Sequence, residues 1–183
     1  VVMQAGEPHS VLVQSAWSVV RDRREVLGVN GRGINPTNLV QAPARHLAFD
    51  GQAIFKNAVK GMADACAEVL AKAGLGVEDI DLFVPHQANI RIIEALAKRL
   101  EFPLEKIVVR IQEYANTSAA SIPLALTDAL EAGRVQPGMT ILMATFGGGF
   151  TCGAGLLDWG ERLEAKARAP LTRASFNVHW VVL

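Results

Sequence analysis

Cysteine is scarce: Cys66 and Cys152 are the only two in 183 residues. Two cannot build a disulfide framework, and neither stands in a Cys-x-x-Cys or Cys/His spacing that would hold zinc. A reducing, cytoplasmic setting is the default expectation. An excess of one charge is missing too, since 18 basic side chains balance 18 acidic ones. Bulk charge therefore gives no reason to expect nucleic acid or an anionic membrane as a partner. No apolar run approaches the length that spans a bilayer, and no signal peptide is visible. The chain opens Val1-Val2-Met3 rather than at an initiator methionine, so its native start is expected upstream. Neither a GxGxxG dinucleotide fingerprint nor a P-loop occurs. No cysteine or serine sits in an obvious nucleophile setting. Whatever chemistry the chain carries reads as half of an active site.

What is present is globular: 50% of residues are hydrophobic and 20% charged, at a length that supports one sizeable core. Val1–Gln4 and Val11–Trp17 read as short strands, and Arg21–Arg45, punctuated by glycine and proline, as a connection. Gln52–Ala73 is the clearest helix, with Phe55, Val59, Met62, Cys66, Val69 and Ala73 at three-to-four spacing. Asp50 caps it and Gly74 stops it. Asp81–Val84 is a buried strand ending at Pro85. Ile90–Leu100 is a helix with Ile90, Ile93, Leu96, Ala97 and Leu100 on one face. Ile107–Ile111 is a β-branched strand, and Ile122–Ala132 a helix led by Ser121 and stopped by Gly133. Thr140–Phe146 and Phe150–Trp159 form an antiparallel pair, because the link between them is too short for a crossover. Strands with little alternation, separated by amphipathic helices, predict an α/β fold with both sheet faces covered. Residues 160–183 break the pattern.

Three strand-like runs end in polar or bare clusters: Pro85-His86-Gln87-Ala88-Asn89, then Asn116-Thr117-Ser118-Ala119-Ala120-Ser121, then Phe146-Gly147-Gly148-Gly149-Phe150. In an open α/β sheet, ligands bind at the carboxyl ends of strands. Buried, His86 stays neutral and can donate to a carbonyl oxygen or accept a proton. Alone, it could equally be a satisfied core histidine. Asn116 offers an amide that can hold developing negative charge. It could equally cap a helix or form a turn, as could Thr117, Ser118 and Ser121. The glycine run allows backbone N–H groups close approach, or simply turns one strand into the next. Arg91, Lys98 and Arg99 suit an acidic partner or a solvated helix face. Cys66 and Cys152 read as structural hydrophobes.

Taken together, Val84-Pro85-His86-Gln87-Ala88-Asn89, Tyr114-Ala115-Asn116-Thr117-Ser118-Ala119-Ala120-Ser121 and Phe146-Gly147-Gly148-Gly149-Phe150-Thr151 resemble the C-terminal half of a β-ketoacyl-acyl-carrier-protein synthase III. That is a condensing enzyme of the thiolase superfamily. The second motif lacks a glycine before its asparagine. The resemblance implies a thiolase-like fold with a mixed sheet covered by helices. It assigns 1–45 to the end of an N-terminal half and crossover, 46–159 to the C-terminal thiolase-like domain and 160–183 to an atypical tail.

The family's catalytic set is Cys-His-Asn, and His86 and Asn116 match its last two members. The resemblance implies that a primer acyl group passes from coenzyme A to the cysteine. Malonyl-carrier protein then loses CO₂, and the carbanion attacks the acyl thioester, with His86 and Asn116 holding the malonyl carbonyl. Phe146, Gly147 and Gly148 would shape the pocket and oxyanion hole. Gly51, Gln52, Phe55 and Asn89 would line the path of coenzyme A and phosphopantetheine thioesters, which are substrates; no cofactor is bound permanently. Gln87, Arg91, Lys98 and Arg99 would meet acyl carrier protein. The full-length protein is expected to be a homodimer that starts fatty acid synthesis, and this chain alone to be inactive for want of the nucleophile. Two other readings stay open: a non-catalytic module that binds thioesters or carrier protein, and a condensing enzyme making a polyketide starter.

Overall fold

The computed structural model describes residues 11–19, 27–30, 46–148 and 150–160. The strands are β1 (Val11–Val19), β2 (Leu27–Asn30), β3 (His46–Phe49), β4 (Leu82–Pro85), β5 (Met139–Gly147) and β6 (Thr151–Trp159). The helices are α1 (Gly51–Ala73), α2 (Ile90–Leu100), the single turn α3 (Ile111–Tyr114) and α4 (Ser121–Glu131). The main sheet runs β1-β6-β5-β4, and β2 and β3 form a separate antiparallel ribbon. β4 and β5 are parallel, whereas β6 is antiparallel to both β5 and β1, so the main sheet is mixed.

The sheet is apolar on both faces, and period-two alternation sorts its side chains between two cores. Phe83, Leu142, Ala144, Cys152, Ala154 and Leu156 pack with the buried stripes of α1 and α2. Leu82, Val84, Ile141 and Leu157 pack instead with Ala125, Leu126 and Ala129 of α4. Each fully buried leucine or isoleucine stabilises the fold by about 1.5–3 kcal/mol. This double burial explains why the strands read as continuous apolar runs.

α1 starts and stops where its sequence requires. Asp50 Oδ1 accepts from the Gln52 and Ala53 N–H groups at 3.1 and 3.0 Å, and Gly74 closes the helix in the left-handed region at φ 69°. The helix lies close on β6: a β-carbon on Gly61 would collide with the Cys152 side chain.

The structure corrects several expectations. Within Arg21–Arg45, residues 27–30 form β2, paired with β3. Ile90 opens α2 but is 40% exposed; Ile92 takes the buried position beside Ile93, Leu96 and Ala97. Ile107–Ile111 is not a strand. Ile107 makes one isolated parallel bridge to Phe83, and the chain then turns into α3. The reason is a side chain, Gln87, whose amide takes up the backbone groups a further strand would have paired, as detailed below. The readings at 1–10, 31–45 and 161–183 lie outside the described residues.

Candidate active site

β4 delivers His86 to the carboxyl end of the sheet. The His86 N–H donates to Ala144 O at 2.8 Å, which extends the β4–β5 ladder by one residue and fixes where the imidazole starts. The ring is 7% exposed. Burial lowers its pKa from the usual 6.5, so the imidazole is neutral at neutral pH. Its Nδ1 lies 2.5 Å from Ser121 Oγ, at the first residue of α4. One face is closed by Phe146 near the end of β5, whose ring meets the imidazole edge-on at 5.4 Å and 64°. Phe150 stacks behind Phe146 at 5.7 Å. The first motif therefore touches both others: the second through Ser121 and the third through Phe146.

Gln87 is the brace of this corner. Its Nε2 donates to Pro85 O at 2.7 Å and to Val108 O at 3.1 Å, and its Oε1 accepts from the Arg110 N–H at 2.8 Å. It is 2% exposed, so the carrier-protein contact expected of it is corrected: its polar atoms are spent inside the protein. A buried amide left unpaired would cost about 1–3 kcal/mol, which accounts for this full complement.

Asn116 sits in a loop with unusual backbone. Ala115 before it has φ 55° and ψ −160°, and Ser118 after it has φ 51°. Asn116 Oδ1 accepts from the Ser118 N–H at 3.0 Å. That turn uses the carbonyl half of the amide and leaves its NH₂ without a partner among the described residues. The loop hangs from α3, and one carboxylate holds α3. Asp128 Oδ2 accepts from Arg110 Nε at 3.1 Å, while Asp128 Oδ1 accepts from the Tyr114 hydroxyl at 2.9 Å. The same hydrogen bond raises the Tyr114 pKa.

The remaining expected residues divide into three groups. Gly147 ends β5 with open space where a side chain would stand, and Gly148 O accepts from Thr151 Oγ1 at 3.3 Å. Gly51 and Gln52 are exposed at the start of α1, and Phe55 packs half-buried against the core. Asn89 caps α2 by accepting from the Arg91 N–H at 2.9 Å. With Ala88, Ile90, Ile111 and Gln112 it lines an open cavity of about 430 Å³. Arg91, Lys98 and Arg99 are exposed on α2, Arg99 lying 3.9 Å from Asp64 of α1. Cys66 and Cys152 are buried, which raises their pKa values to about 12 and about 11; neither is a thiolate near neutral pH. Among the described residues no cluster of His, Cys, Asp or Glu could hold a metal ion, and no helix is long and apolar enough to cross a membrane.

Sequence reasoning missed Ser121, taken as a helix cap. The position before it, Ala120, is the cap and has no side-chain bond, while Ser121 itself is 2% exposed. The signal was there in the spacing: Ser121, Ala125 and Ala129 share the buried stripe of α4. Gln87, Arg110 and Asp128 were missed as braces, since the bonds that tie them to other elements span 14–23 residues and leave no local pattern.

Residues 70–159 match the family model described as 3-oxoacyl-[acyl-carrier-protein (ACP)] synthase III C terminal. The β-ketoacyl-[acyl-carrier-protein] synthase III of Nitratidesulfovibrio vulgaris is 47% identical over 135 residues, 73% of this chain and 41% of the relative. That of Oleidesulfovibrio alaskensis is 56% identical over 109 residues, 60% of this chain and 33% of the relative. The crystal structure of 3-oxoacyl-[acyl-carrier-protein] synthase III from Aquifex aeolicus superposes with a TM-score of 0.72 at 42% identity, covering 84% of this chain and 46% of that one. The chain thus spans less than half the length of these relatives. In sequence and in its thiolase-like α/β fold, the chain matches the C-terminal part of the β-ketoacyl-[acyl-carrier-protein] synthase III family.

Proposed function

We propose that this chain supplies the donor half of a decarboxylating condensation, in which an acyl primer from coenzyme A is extended by malonyl-acyl carrier protein to start fatty acid synthesis. The observation that carries the reading is a pair of neutral donors: a buried, uncharged His86 and an Asn116 amide whose NH₂ is uncommitted among the described residues. Loss of CO₂ sends the electrons of the breaking C–C bond into the thioester carbonyl. Hydrogen bonds from His86 Nε2 and Asn116 Nδ2 strengthen as that oxygen becomes an enolate, so they lower the barrier more than they favour the ground state. The enolate carbon then attacks the acyl thioester of a cysteine. Neither Cys66 nor Cys152 suits that role, since both are buried and protonated.

The other contacts follow from chemistry. A pantetheine arm would run past Asn89 and the cavity it lines, with Gly51, Gln52 and Phe55 at the start of α1. Gly147 and Gly148 would present backbone N–H groups to the acyl oxygen, beside Phe146. Arg91, Lys98 and Arg99 would steer an acidic carrier protein, mainly through association rate. Coenzyme A and phosphopantetheine thioesters enter as substrates, with no cofactor bound permanently. The full-length protein would work as a cytoplasmic homodimer. In that protein, His86→Ala and Asn116→Ala should each cut malonyl-carrier-protein decarboxylation by about 100-fold, the effect of losing one oriented donor. Turnover within threefold of the unsubstituted protein in both variants would remove the reading.

A further inference from the structure

The imidazole of His86 can carry its single proton on either nitrogen, and only one choice offers a donor at Nε2. The surroundings of Ser121 decide between them. Ser121 Oγ accepts from the Gln87 N–H at 3.2 Å and lies 2.5 Å from His86 Nδ1. Its hydroxyl has one proton to place. If Nδ1 is bare, that proton goes to Nδ1, the Gln87 N–H is satisfied and nothing is left over. If Nδ1 is protonated, it donates to Oγ and the serine proton needs another acceptor. Among the described residues Ser121 Oγ bonds only His86 and Gln87, neither of which could then take that proton, and Ser121 is only 2% exposed. An orphaned buried hydroxyl is unfavourable enough to bias the two forms about tenfold to a hundredfold.

We propose that Ser121 is a positioning residue that holds His86 as the Nε2–H tautomer and so fixes the ring as a donor toward the site. The role rests on the functional reading above, and it makes Ser121 the outer member of a relay in which the Gln87 N–H orients the hydroxyl and the hydroxyl orients the ring. Ser121 touches no reacting atom. Phe146, edge-on to the imidazole, keeps the ring from turning over to exchange its nitrogens.

The test is the ¹⁵N spectrum of the His86 ring in the full-length protein at pH 7.5. The expected result is an unprotonated Nδ1 and a protonated Nε2. A protonated Nδ1 would overturn the proposal without any substitution being made. Ser121→Ala should then erase the bias, giving comparable populations of the two tautomers, and lower kcat for malonyl decarboxylation about tenfold while KM stays within threefold. An alanine variant that keeps both the original tautomer and the original kcat also overturns it. A tautomer that shifts while kcat holds supports the Ser121 assignment and instead removes His86 from the chemistry.

Discussion

Ala115→Gly should make this protein more stable, against the usual direction of such a change. Ala115 holds φ 55° and ψ −160°, close to a region that glycine adopts freely and that costs other residues about 1–3 kcal/mol. Glycine removes that strain but adds freedom to the unfolded chain, worth about 0.4–1 kcal/mol in the opposite sense. The difference is a gain of roughly 0.5–2 kcal/mol. For a chain of 183 residues each kcal/mol moves the melting temperature by about 2–4 °C, so a rise of roughly 2–6 °C is expected. The assay is paired thermal and urea unfolding, with Ala120→Gly as the control. Ala120 has φ −77° and ψ −13°, ordinary right-handed backbone, so glycine there relieves no strain and should lose about 0.4–1 kcal/mol through the added freedom of the unfolded chain. If glycine at 115 is as harmful as glycine at 120, Ala115 carries no strain and the reasoning fails.

Other substitutions probe the brace, the packing and the titration. Gln87→Leu would orphan the Val108 carbonyl and the Arg110 N–H, and should cost about 2–5 kcal/mol by urea unfolding; a loss under 1 kcal/mol would mean the loop re-pairs without it. Gly61→Ala forces α1 away from Cys152 and should cost about 1–3 kcal/mol, read as a lowered urea midpoint at constant slope. The His86 pKa is lowered on folding from 6.5, so below that pH the unfolded state binds more protons than the native one. Stability should therefore fall as pH drops from about 6.5 toward the folded pKa, and His86→Asn should flatten that slope. An identical pH dependence in the variant would place the titration elsewhere.

How much of this was legible in the sequence depended on whether its cause was local. α1 was readable end to end, because a cap, a stripe and a terminal glycine each act within a turn or two of the helix. The β5–β6 hairpin was readable because its link is too short for any other connection. Ile107–Ile111 has the β-branched composition of a strand, yet Gln87, about 20 positions earlier, occupies its pairing groups. Ile90 fits a helical stripe but falls at the first position of α2, where the helix has not yet reached the core. The candidate residues His86, Asn116 and Phe146 announced themselves as motifs. The partners that orient them did not: Arg110 and Asp128 are ordinary residues whose roles exist only after folding, and Ser121, although inside the second motif, read as a helix cap.

α4 supports both proposed donors at once. Ser121 at its start meets His86, and Asp128 seven positions on grips the turn that carries the Asn116 loop. Seven residues of helix make a rod of about 10 Å, among the stiffest spacers a chain can build. A small displacement of that rod carries both supports together, so the hydroxyl against His86 and the carboxylate under the Asn116 loop keep their spacing. The same economy sets a tolerance. One residue inserted between Ser121 and Asp128 would turn the carboxylate by about 100° and release α3, while every hydrophobic contact on the other face of the sheet stayed in place.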